Sequence, residues 1–280
     1  MMRSTRAAMA AETVAIVERG SYRSASGTDI GLADAVRACL DGTRFLTPEH
    51  LDAIRREVLA RPSDGLDTAI EVVNEATLAG ASRLLAEGRG PVAALNFASA
   101  RNPGGGFLKG SHAQEESLAR SSALYASLLR APEYYDRHRA SPSLLYSDAM
   151  ILSPACPVFR DDAGTLLDAP SSITFITSPA PNAGAIRDPR ERARVGEVLR
   201  RRSELILALA ASQGYRHLVL GAWGCGVFRN DPTEVASAFA AHLLDGPWSG
   251  RFERVAFSVL DTSASLATIA AFEDALARGR

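Results

Sequence analysis

Cysteine is scarce in this chain of 280 residues, and its three copies, Cys39, Cys156 and Cys225, lie far apart. So scattered, they build neither a disulfide framework nor a paired-cysteine metal site, and they fit a reducing cytoplasm. Histidine is sparse too: His50, His112, His138, His217 and His242 show no HxxxH or HxH spacing, which removes support for a metal centre. Net charge is almost missing, since 31 basic and 32 acidic residues leave -1. That balance argues against broad phosphate neutralisation, and so against direct DNA binding. No apolar run approaches the ~20 residues that cross a bilayer, so no membrane partner is expected. The basic start does not read as a secretory leader, because Glu12 and Glu18 interrupt what would be its apolar core. Linkers rich in Pro, Gly or Ser and internal repeats are also absent, which predicts one compact unit with an N-terminal extension.

What is present is an ordinary globular composition, 46% hydrophobic and 22% charged, with enough apolar surface for a substantial core. Met9, Thr13, Ile16 and Val17 recur at helical spacing and predict an amphipathic helix over 5–19. Thr47-Pro48-Glu49 reads as a cap followed by proline, opening a helix to about Leu59. The segment 1–66 is thus expected to be a mainly helical extension. From residue 67 the pattern changes to a β-α-β rhythm: strands at 69–73, 92–97, 149–152, 173–177, 217–220 and 254–259. Helices are expected at 75–87, 113–129, 189–212, 232–244 and 263–277. The alternation predicts an α/β fold, a three-layer α/β/α sandwich over 67–280 with a parallel or mixed sheet. Functional loops should leave the carboxyl ends of its strands.

Two glycine-rich loops sit where that rule places them. Asn102-Pro103-Gly104-Gly105-Gly106 follows the 92–97 strand, and Gly221-Ala222-Trp223-Gly224-Cys225-Gly226-Val227-Phe228 follows the 217–220 strand. Glycine lets backbone N–H groups approach an anion closely, and two such loops suit a diphosphate. Neither has the G-x-G-x-x-G spacing nor a following Gly-Lys-Ser/Thr, which counts against hydride or phosphoryl transfer. Gln114-Glu115-Glu116 opens the next predicted helix, where acids also complement the helix dipole.

Taken together, NPGGGFLKGSHAQEE (102–116) resembles the signature of poly(ADP-ribose) glycohydrolases of the bacterial type, within the macrodomain-like superfamily. The resemblance implies hydrolysis of the ribose–ribose O-glycosidic bond of poly(ADP-ribose), with ADP-ribose as product and no cofactor or metal. It implies Glu116 as the catalytic acid/base, with Glu115 and Gln114 orienting the ribose. Gly104, Gly105 and Gly106 form the close-approach loop. Gly224, Cys225, Gly226 and Val227 become backbone contacts to the diphosphate, and Phe228 a neighbour of the distal ribose. The ribose contact is left open among Asn96, Ser99 and Asn102, because Ser99 stands where related macrodomains often carry asparagine. Consecutive helical residues point about 100° apart, so the two glutamates must play unequal parts. A helix start favours ionised carboxylate, so something must supply Glu116 with a proton: burial, or the substrate's diphosphate.

Other readings compete. Cys225 has no histidine nearby in sequence to make it a nucleophile. His112 with Glu115 is only half a metal site. Trp223 is assigned to packing, Glu75 to a helix cap or to adenine, and the arginines at 190, 192, 194, 200, 201 and 202 to solvated surface. A hydrolase of single ADP-ribose units on modified proteins and a noncatalytic ADP-ribose reader share the glycine loops. Gln-Glu-Glu argues against the first and Glu116 against the second.

Overall fold

The structure is a computed structural model that describes residues 2–88 and 90–277. Its N-terminal part holds α1 (Arg3–Arg19), β1 (Ser21–Arg23), β2 (Asp29–Gly31), α2 (Ala33–Gly42), β3 (Arg44–Leu46) and α3 (Pro48–Ala60). Then come β4 (Ala69–Val73), α4 (Thr77–Ala86), β5 (Val92–Phe97), α5 (Gln114–Ser121), α6 (Leu124–Leu128) and α7 (Pro132–Ala140). A long hairpin of β6 (Met150–Arg160) and β7 (Leu166–Ser178) precedes α8 (Pro189–Arg192) and α9 (Val195–Ser212). The chain closes with β8 (His217–Leu220), α10 (Pro232–Leu243), β9 (Arg254–Ser258) and α11 (Ala267–Leu276).

Seven strands form one mixed sheet in the order β3-β6-β7-β5-β8-β9-β4. β7, β5, β8, β9 and β4 run parallel, while β6 is antiparallel to both β7 and β3. Side chains alternate across it: Ala93, Leu95, Leu218, Leu220, Val255 and Phe257 pack with α3, α9, α10 and α11. Val92, Ala94, Val219 and Ala256 pack with α2 and α4 to α7 on the other face. The three-layer α/β/α arrangement expected from the periodicity is the one observed. Among the described residues no helix is long and apolar enough to cross a membrane.

Several elements depart from the pattern, each for a local reason. The helix expected over 113–129 is two helices, because Ser122 is extended at φ -148°. Its hydroxyl donates to Leu118 O at 2.7 Å and accepts from Leu124 N at 3.2 Å, and its backbone bridges to Val158. Side-chain capping of this kind competes with helical continuation. The 189–212 helix likewise breaks after α8, whose start Asp188 caps. β6 and β7 run far beyond the expected strands, since Pro154, Pro157 and a bulge at Ala155 interrupt the sequence signal without ending the strand. The N-terminal part is mainly helical as expected, yet β3 also adds an edge strand to the main sheet, pairing Phe45 with Ile151.

Candidate active site

Parallel strands β5 and β8 are neighbours, so the two glycine loops leave adjacent carboxyl ends on one edge of the sheet. Between them the start of α5 is bolted to β5 by Gln114. Its Oε1 accepts from Phe97 N at 2.8 Å, and its Nε2 donates to Leu95 O at 2.7 Å and Thr77 Oγ1 at 3.1 Å. Both ends of the amide are therefore occupied by protein, and Gln114 fixes the position of the next two residues.

Those residues turn to different surroundings, as a helical step demands. Glu115 faces the sheet and is 3% exposed; Oε2 accepts from Ser99 N at 2.7 Å and Oε1 from Asn96 Nδ2 at 3.3 Å. Asn96 is itself held by Thr177 Oγ1 at 3.1 Å. Burial pushes the Glu115 carboxyl up to about 8, outweighing the hydrogen bonds from Ser99 and Asn96 that favour its charge. The Glu116 charge pushes the same way. Glu116 turns to the glycine loop, where Oε1 accepts from Gly106 N at 2.9 Å. Its Oε2 has no hydrogen-bond partner among the described residues and is not sealed from solvent.

The triple glycine thus serves the glutamates directly. A Cβ on Gly105, whose φ is +59°, would lie 2.5 Å from Glu116 Oε1 and 3.3 Å from Glu115 Oε2. No side chain fits where the two carboxyls converge. Asn102 is exposed at the lip of this loop, its carbonyl accepting from Gly105 N at 2.9 Å. Ser99 is engaged locally, its N–H donating to Glu115 and its hydroxyl oxygen accepting from Asn102 N. Of the three ribose candidates, Asn96 is the one that touches Glu115 through its side chain.

In the second loop, the N–H groups of Gly224, Gly226, Val227 and Phe228 donate no hydrogen bond among the described residues. Such a run of free N–H groups offers donors of the kind that suit an anion. The Cys225 N–H, by contrast, is taken by Ala222 O at 3.1 Å. Burial, followed by the Asp231 charge, pushes the Cys225 thiol up to about 12, which disarms it as a nucleophile at neutral pH. Val227 is exposed, and Phe228 is half-buried with its ring 6.0 Å from that of Tyr146. Trp223 is core, donating from Nε1 to Ser178 O at 3.0 Å. Sequence reading missed Asn230, whose Nδ2 ties Gly224 O at 3.1 Å to Pro181 O at 2.8 Å; the Asn-Asp-Pro turn signal was the clue available. It also missed Tyr146, whose left-handed backbone has no mark in the sequence. A Cβ on Gly224 would lie 2.4 Å from both Ala180 Cβ and Asn230 Nδ2. Gly224→Ala is therefore expected to weaken ADP-ribose binding by roughly tenfold, measured by calorimetry; unchanged affinity would remove this loop from the site.

Elsewhere the candidates resolve into structure. Glu75 pairs with Arg83 at 2.7 Å and accepts from Ser258 Oγ at 3.1 Å, so its carboxylate is already occupied. Arg202 is not at the surface but 1% exposed, a correction to the solvated-helix reading. No group of three His, Cys, Asp or Glu among the described residues could hold a metal ion.

A sequence profile described as microbial-type PARG, catalytic domain, matches residues 10–161, a span that includes Gln114 to Glu116. This chain belongs to the microbial-type PARG family. PARG is poly(ADP-ribose) glycohydrolase. The chain is similar to the PARG of Thermomonospora curvata, at 53% identity and a TM-score of 0.94 over 97% of this chain and 99% of that one. It is similar to the same organism's PARG bound to the inhibitor ADP-HPD, at 51% identity and a TM-score of 0.91, with 97% and 99% covered. It also resembles Deinococcus radiodurans PARG in complex with ADP-ribose, at 49% identity and a TM-score of 0.82 over 88% and 98% of the two chains. A search of curated proteins finds no match. The profile match ends within the β6–β7 hairpin, so the second loop of this PARG family member lies outside it but inside the span shared with T. curvata.

Proposed function

We propose that the chain hydrolyses the ribose–ribose O-glycosidic bond of poly(ADP-ribose), free or on ADP-ribosylated proteins, and releases ADP-ribose. The observation that carries this reading is the pair of adjacent carboxyls converging on Gly105, one buried and hydrogen-bonded, the other with a free oxygen. The solved relatives support it, since one is in complex with ADP-ribose and another is bound to the inhibitor ADP-HPD. Glu116 protonates the leaving ribose oxygen through Oε2 as the anomeric bond breaks with oxocarbenium character. Water then adds to the anomeric carbon and returns its proton to Glu116. Glu115 and Asn96 orient the ribose beside it. The free N–H groups at 224 and 226–228 hold the diphosphate, and Phe228 lies against the distal ribose. The compartment is the cytoplasm, and residues 1–66 are an extension of the catalytic unit at 67–280.

Burial keeps the Glu115 carboxyl, next to Glu116, neutral to a higher pH than an ordinary carboxylate. Because that group's proton affinity is raised to about 8, the proton is present below pH 8 and lost above it. Incubation with labelled polymer is expected to release ADP-ribose, with turnover falling as pH rises through about 8. Tight binding without release would mark a reader instead, and cleavage confined to singly modified protein would mark a hydrolase of that class.

A further inference from the structure

The helix α1 lies against the catalytic loop. Arg3 Nε donates to Lys109 O at 2.9 Å and Arg6 Nε to Gly110 O at 2.8 Å, across more than a hundred residues of sequence. The approach is backbone to backbone: a Cβ on Gly110 would lie 2.2 Å from Arg3 O and 3.0 Å from Ala7 N. One turn further along α1, Ala10 packs with Phe107 and Ala119, and the Phe107 ring sits 5.0 Å from Tyr125. Thr13 Oγ1 then donates to Arg120 O at 2.6 Å, a buried contact near the end of the helix that begins with the catalytic glutamates. Arg120 in turn folds back to the loop, donating to Ser111 O at 2.7 Å and Ser117 Oγ at 3.1 Å.

These contacts close a ring around one bond. Phe107 is the residue after Gly106, whose N–H holds Glu116 Oε1, and Ser111 N returns to Gly106 O at 3.1 Å. α1 therefore touches the loop just after Gly106, through Phe107 and Gly110, and touches α5 through Arg120. We propose that α1 is a clamp on the catalytic loop, with Arg3, Arg6 and Thr13 as positioning residues that keep the Gly106 N–H on Glu116; the catalytic consequence rests on the glycohydrolase reading above. Without the clamp, the segment 104–112 gains freedom and Glu116 Oε2 loses its fixed aim. A displacement of this kind costs rate more than binding, because geometry at the reacting atoms is what slackens.

The test is an Arg6→Met/Thr13→Val double variant of the full chain, read by polymer turnover and by amide hydrogen exchange. A fall in kcat of roughly 10- to 100-fold with KM little changed is expected. Faster exchange confined to 104–112, with 92–97 as protected as before, should accompany it. Arg6→Lys with Thr13→Ser keeps both donors and should restore both readouts. Unchanged kcat together with unchanged exchange at 104–112 would overturn the proposal, as would acceleration spread evenly over the sheet. Should the double variant not fold, Gly110→Ala pushes α1 off from the loop side and is read in the same way. The exchange arm needs no turnover, so a wild-type chain that released no ADP-ribose would refute the glycohydrolase reading while the clamp was still tested.

Discussion

Glu116→Gln is expected to lower polymer turnover by roughly 10²- to 10⁴-fold while leaving ADP-ribose affinity close to that of the wild type. The amide is isosteric and its oxygen still accepts from Gly106 N, so the loop keeps its shape. What is lost is the ability of the free Oε2 position to carry a proton to the leaving oxygen and take one from water. Glu115 cannot substitute, because it lies 3% exposed with Oε2 held by Ser99 N and Oε1 by Asn96 Nδ2. Single-turnover release of ADP-ribose, paired with calorimetric binding, separates chemistry from affinity. Turnover within tenfold of the wild type would remove Glu116 as acid/base.

The second large effect is on stability. Arg202→Met is expected to cost about 3 kcal/mol, a fall in melting temperature on the order of 10 °C for a chain of this size. Arg202 donates to Asp148 Oδ1 at 2.9 Å, Pro179 O at 2.6 Å, Leu145 O at 3.0 Å and Tyr146 O at 3.4 Å. Burial works against its charge, and only this full set of acceptors offsets that cost. Methionine fills the volume but strands the buried carbonyls of Leu145 and Pro179, each with a desolvation penalty, and the half-buried one of Tyr146. Asp148 is partly spared because Arg201 Nε stays at 2.7 Å, which keeps the estimate at the low end of what breaking a buried pair costs. The same residues carry Tyr146, whose ring meets Phe228, so binding at the distal ribose should weaken alongside. A melting temperature within 2 °C of the wild type would contradict the argument, since roughly 2–4 °C is expected per kcal/mol.

The reach of sequence reading can be followed along β5. The short unbroken apolar run Val92-Ala93-Ala94-Leu95 announces a strand buried on both faces, and it is one. The strand end, the glycines after it and the Gln-Glu-Glu beyond are local, so their order along the chain was enough to expect them together at the end of β5. The break at Ser122 was not legible, because it depends on a bridge to Val158 that only the folded hairpin supplies. Arg202 shows the same limit. Its charge argued for solvent, and the acceptors that let it be buried come from residues 145, 146, 148 and 179.

For the loop around Glu116, the sequence alone determined which residue types stand together and that the two glutamates differ, since spacing and helical geometry are properties of a continuous chain. Only the tertiary structure decided which carboxyl is the more deeply buried and so has its proton affinity raised, because desolvation is set by everything packed around a group. It also decided that the glycines hold the glutamates and that α1 lies across the loop. Those contacts join segments about a hundred residues apart, and nothing in either segment names its partner.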